Sequence, residues 1–100
     1  MFLYNVTVGV DRSIEVEWIQ WMKTVHIPNV MNTGMFVNHK MYKVHTAEDE
    51  PAVSYAIQYF APTLDHVQQY LERFAPLLRE ESNTKFGSSQ AAYRTLLEEV

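Results

Sequence analysis

Cysteine is absent from this 100-residue chain, which removes disulfides, thiol nucleophiles and zinc–thiolate sites together. Basic charge is scarce, with eight Lys and Arg against twelve Asp and Glu and a net charge of −4. A phosphate-backbone partner needs a basic face that displaces counterions. Here Lys40, Lys43, Arg73, Arg79, Lys85 and Arg94 are scattered among acids, so no nucleic-acid partner is expected. No apolar run approaches the ~20 residues that cross a bilayer. The leading MFLYNVTVGV lacks the basic start and small-residue cleavage site of a secretory signal, and Asn5 and Thr7 interrupt it. The expectation is a soluble, cytoplasmic protein with no membrane partner. No catalytic motif, internal repeat or low-complexity segment appears either.

What is abundant is apolar and aromatic: 47% and 13% of the residues, which is not the composition of a disordered chain. One hundred residues is the usual size of one domain, and such a chain buries roughly 60–70% of its unfolded surface without staples. Residues 1–100 therefore read as a single domain.

Residues 2–10 alternate, with Tyr4, Val6, Val8 and Val10 on one face and Leu3, Asn5, Thr7 and Gly9 on the other, the period of a strand. Asp11 and Ser13 offer capping oxygens to a following helix, with Glu15 and Glu17 in its first turn. Ile14, Trp18, Met22 and Val25 make its apolar stripe, with Trp21 beside it. Pro28 is expected to end this helix by turning Ile27 away from helical angles, and Gly34 to close the next turn. Strands resume at 35–45 and 52–61, joined by the acidic turn AEDEP as a hairpin. Pro62 and Thr63 start a second helix with Leu64, Val67, Leu71 and Phe74 as its buried stripe. Pro76 should kink it or begin a second segment through Leu77, Leu78 and Phe86. A last strand follows Gly87, at about 91–97.

Strand, helix, hairpin, helix, strand is the split β-α-β order, and right-handed crossovers put both helices on one side of the sheet. The fold class is α+β: a ferredoxin-like β-α-β-β-α-β sandwich with a four-stranded antiparallel sheet. Its first and third strands form the central pair. The bulkier face, with Tyr4, Val6, Val8, Val53, Tyr55, Ile57 and Tyr59, belongs under the helices. Asn5, Thr7, Ser54, Ala56 and Gln58 lie on the other face, which is solvated or meets a partner.

The segment WIQWMKTVHIPNVMNTGMF, from Trp18 to Phe36, carries W-x-x-W-M-K-x-x-H-I-P followed by T-G-x-F. Together with FAPLLREESNTKFG and the closing YRTLLE, it resembles a small bacterial family of uncharacterised domains, over essentially the whole chain. That family is similar in fold to the dimeric α/β-barrel superfamily, in which ferredoxin-like protomers join through their sheets. The resemblance implies a homodimer through the sheet face and assigns no reaction. The superfamily includes cofactor-free monooxygenases, haem-degrading enzymes and small-ligand binding proteins, and membership transfers no function.

His26 is the candidate catalytic residue, since histidine serves as acid or base near neutral pH. It also reads as a helix C-terminal residue bonding the last carbonyls. Tyr4, Trp18, Trp21, Tyr55 and Tyr59 form either an aromatic ligand pocket or ordinary core, with one tryptophan partly exposed. Arg79 either clamps a ligand carboxylate or pairs with Glu80 or Glu81 at the surface. Arg94 carries the same ambiguity, with an intersubunit pair as its functional form. His39 and His45 lie about 20 Å apart along one strand, so no metal site is expected, and no cofactor. Asn5 and His66 match two positions of a haem-degrading site. The tryptophan such a site needs in the sheet is missing, because both tryptophans fall on the first helix. FLYNV echoes an RNA-recognition strand, yet AVSYAIQYF lacks that module's basic and aromatic pattern. Two functions stay open: a homodimeric small-molecule-binding domain, enzymatic or not, using a cleft between first helix and sheet, and a structural or regulatory dimerisation module. A cavity of a few hundred Å³ lined by His26 and tyrosines separates them.

Overall fold

The computed structural model describes residues 1–45 and 50–100. The acidic turn expected between the hairpin strands lies largely outside them. The strands are β1 (Phe2–Asp11), β2 (Asn38–Val44), β3 (Ala52–Ala61) and β4 (Gln90–Glu98). The helices are α1 (Glu15–Trp21), α2 (Ile27–Met31), α3 (Leu64–Arg73) and α4 (Ala75–Phe86). The strands pair antiparallel in the order β2-β3-β1-β4, with the first and third at the centre as the sequence implies.

Register fixes which side chains share a face. Tyr4 lies opposite Tyr59, Val8 opposite Tyr55 and Val10 opposite Val53, and all six are buried. They meet Trp18, Met22, Ile27, Val30, Val67, Tyr70, Leu78 and Phe86 from the helices in one hydrophobic cluster. The helices thus cover the bulkier face, which alternation separates from the other and side-chain bulk distinguishes. Within that cluster Tyr4, Phe36, Tyr59 and Tyr70 stack or tilt against one another, from 4.9 Å between the Phe36 and Tyr70 centroids to 6.3 Å between Tyr4 and Tyr59.

The first helix departs from expectation at Pro28. It does not stop there: Ile27 keeps helical angles (φ −60°, ψ −45°), and Pro28 sits in the first turn of α2. Between α1 and α2, Met22–His26 form a π-type turn in which the Ile27 N–H bonds the Met22 carbonyl five residues back. In a regular α-helix the proline ring collides with the carbonyl four residues earlier and leaves it without a donor. A widened turn immediately ahead relieves both problems and lets the helix pass through as a bend. The extra residue also rotates the stripe, so Ile27 is buried and Val25 is exposed, against the 3.6-residue reading.

No side-chain hydrogen bond caps the Arg12–Ile14 turn or α1, so Asp11 and Ser13 do not act as caps. On α3 the buried pair is Val67 and Tyr70, while Leu64 and Leu71 are exposed. Tyr70 turns inward because its ring completes the aromatic cluster on Tyr4 and Phe36. Leu77 is likewise exposed, and Leu78 and Phe86 carry the packing of α4. Thr63 does cap α3, its hydroxyl accepting the His66 N–H at 3.3 Å. Gly34 and Gly87 take the positive φ that the turn and helix end require, +78° and +54°.

Candidate functional site

Between the helical layer and the sheet lies a cavity of about 210 Å³. Its apolar floor is Val6, Val8 and Ile57 from the central strands, with Trp18 and Met22 from the first helix. Tyr4, Tyr59 and Tyr70 line one side; Arg79, Ser82 and Asn83 of α4 and Gln90, Ala92 and Arg94 of β4 line the other. The cavity exists because β4 is an edge strand whose helix-facing residues from Ala92 onward remain exposed, so α4 covers it only partly.

His26 enters this cavity from the π turn. Its ring stacks on Trp21, centroids 5.2 Å apart and planes inclined by 24°, and Trp21 in turn meets Phe86 edge-on at 5.4 Å. The Nδ1 atom of His26 is buried with no hydrogen-bond partner. Burial, and secondarily the positive charge of Arg94, lowers its pKa from 6.5 to about 4. The imidazole is therefore neutral at pH 7, and burial opposes its protonation. The helix-capping alternative fails here, since the chain continues as helix to Met31 and Nδ1 bonds no carbonyl.

One network ties the walls together. The Trp18 indole donates to Gln90 Oε1 at 3.0 Å, and Gln90 Nε2 donates to Ser82 Oγ at 2.7 Å and to the Ser82 carbonyl at 3.3 Å. Indole is a donor only and the carbonyl an acceptor only, so the two contacts fix the amide orientation of Gln90 between them. Arg79 Nη2 donates to the Tyr4 hydroxyl at 3.0 Å. Burial holds the Tyr59 and Tyr70 hydroxyls above the ordinary tyrosine range, with neighbouring tyrosines adding to the effect. Both hydroxyls remain protonated donors at neutral pH.

Of the residues expected at the site, Tyr4, Trp18, His26, Tyr59 and Arg79 come together around the cavity. Trp21 and Tyr55 do not line it. Trp21, partly exposed, backs the His26 ring. Tyr55 lies on the far side of Trp18, centroids 5.2 Å apart, and donates to Glu15 Oε2 at 2.5 Å. Glu15 is also 3.7 Å from Lys43 Nζ. Tyr70, Ser82, Asn83 and Gln90 were not legible as site residues. The parity of the last strand was the available signal: Gln90, Ala92 and Arg94 share the face that pairs with Val10, Val8 and Val6. Among the described residues no group of three or more His, Asp or Glu side chains could hold a metal ion.

Residues 1–100 match the model of a domain of unknown function, DUF4286. The chain belongs to the DUF4286 family. No curated protein matches it in sequence. Solved structures share the fold of this DUF4286 domain at low identity. An EthD family protein from Bacillus halodurans superposes with TM-score 0.69 at 11% identity, covering 100% of both chains. A dimeric ferredoxin-like protein from an uncultured marine organism gives 0.69 at 12%, covering 100% of this chain and 95% of the other. SnoaB, a cofactor-independent oxygenase from Streptomyces nogalater, gives 0.62 at 9%, covering 98% and 92%. These likenesses establish the ferredoxin-like α+β fold.

Proposed function

We propose that this chain is a small-molecule-binding domain acting in the cytoplasm as a homodimer, its ligand enclosed between the first helix, α4 and the sheet. The observation that carries the reading is the cavity of about 210 Å³, walled by His26, three tyrosines and two arginines. Ligand sites are mostly apolar with a few convergent polar groups, and here those groups come from both sides of a fold whose core is otherwise apolar. His26 adds a neutral imidazole to that wall, and its buried, unpartnered Nδ1 carries a cost to stability that an ordinary packing role does not explain. The enzymatic form of the proposal makes His26 the proton acceptor and invokes no cofactor. Its basicity is low for that task, since a general base works best with a pKa near the operating pH.

The uncovered sheet face supports the homodimer. Small residues, among them Thr7, Gly9, Ser54 and Ala56, line its middle. Tyr93, Tyr42 and Leu97 stand on the same face at 65%, 48% and 43% exposure. Two such faces meeting would bury large apolar side chains that water now touches. Dimerisation as the whole function is the second reading, and the same exposed face favours it.

Native mass spectrometry of the purified protein, with and without Ala92→Phe, tests the ligand reading. A small molecule retained by the native protein and lost from the filled variant is the expected result. Equal retention by both, or no retained molecule and no binder among small fragments screened by NMR, refutes it. Sedimentation should give a particle of twice the 11.7 kDa chain mass, reverting to one chain in Tyr93→Lys. A monomer at micromolar concentration refutes the dimer.

A further inference from the structure

We propose that the cavity takes a small aromatic carboxylate, its anionic end held between Arg79 and Arg94 and its ring on the apolar floor. This inference rests on the ligand-binding reading above and adds the ligand's chemical class.

The charge inventory of the walls is one-sided. Two guanidinium groups, one from α4 and one from β4, line the same space, and among the described residues no Asp or Glu does. Among the described residues the ion pairs are Lys43 with Glu15 and Lys85 with Glu17; neither arginine has a carboxylate within range. That is unexpected in a chain whose acids outnumber its bases twelve to eight, with Glu80 and Glu81 adjacent to Arg79 in sequence. Arg79 spends one donor on the Tyr4 hydroxyl, leaving others of its five for a second acceptor. A cationic ligand would face two like charges with no counter-ion. A carboxylate would meet the planar fork that recognises it most directly, with the protonated Tyr70 hydroxyl as a further donor.

Size and polarity narrow the class. An apolar cavity of about 150 Å³ accommodates benzene, so 210 Å³ leaves space for a carboxylate and little else. The floor of Val6, Val8, Ile57 and Met22 offers no polar partner to inorganic phosphate but suits a flat ring, with Trp18 beside it.

Benzoate and benzyl alcohol, nearly equal in size and different in charge, discriminate when titrated into the full chain and followed by NMR chemical shifts. Benzoate should bind at least tenfold more tightly, the scale of one hydrogen bond to a charged group. Arg94→Gln should weaken benzoate severalfold and so narrow the difference, with Arg79 still holding the anion, and an undiminished preference would overturn the placement of the carboxylate. Arg94 is solvent-exposed, so the variant should melt as the parent does, and Arg94→Lys should restore part of the preference. Equal binding of the two probes to the parent would overturn the anion assignment and leave the cavity reading standing. Displacement of benzoate by equimolar inorganic phosphate would overturn the aromatic part. Failure of both probes to bind would overturn this inference and the ligand-binding reading together.

Discussion

Acid should destabilise this fold through His26, and the size of the effect follows from its surroundings. Its pKa falls from 6.5 to about 4 because the ring is buried, with Arg94 adding repulsion. The unfolded chain therefore takes up this proton at a higher pH than the native state does. Stability is unaffected above about pH 7.5 and declines as pH drops below 6.5, at ~1.4 kcal/mol per pH unit. The decline levels off near pH 4, after a total of roughly 3 kcal/mol. Against the 5–15 kcal/mol of a typical domain that is a large share. Carboxylates also lose their charges over this range, so the informative quantity is a difference. Urea denaturation of the parent and of His26→Leu, followed by tryptophan fluorescence at pH 7.5 and 4.5, isolates the histidine. The parent should lose about 2–3 kcal/mol more than the variant between those two pH values. Arg94→Gln, which removes the minor cause, should narrow the gap without closing it. Parallel losses in parent and His26→Leu would refute the account, because they would mean that Nδ1 finds water or a partner in the native state.

Gln90→Leu leaves the Trp18 indole N–H, wholly buried, without an acceptor. It should cost about 1–3 kcal/mol in urea denaturation, and Gln90→Glu, which keeps an acceptor oxygen, should recover part of it. Tyr55 should ionise late in an ultraviolet pH titration, at about 12, because burial and the bond to Glu15 both favour the neutral phenol. Glu15→Gln should bring that titration down, and an unchanged midpoint would contradict the contribution assigned to the carboxylate.

Much of this molecule could be read along the chain. Strand residues alternate strictly between faces, so Tyr4, Val6 and Val8 were expected to share a side with Val53, Tyr55, Ile57 and Tyr59, and their bulk favoured that side for the helices. Element order then restricted the topology. The site was legible only in part. Tyr4, Trp18, His26, Tyr59 and Arg79 carry side chains whose chemistry draws notice wherever they sit. Gln90 and Arg94 became wall residues through strand register with β1, and Tyr70 through competition with Leu71 for the inward position on α3. A helix of period 3.6 tolerates either stripe; the sheet beneath it chose the aromatic one.

Local patterning thus determined the elements, their order and the buried side of the sheet, because those follow from interactions a few residues apart. Tertiary structure alone decided that the first helix passes through Pro28 by a π turn, which swings His26 inward and Val25 outward. It also decided that α4 stops short of covering β4 and leaves a cavity between them. Both depend on how whole elements pack, where a shift of one residue in a turn or a few ångströms between layers separates a filled core from a binding site.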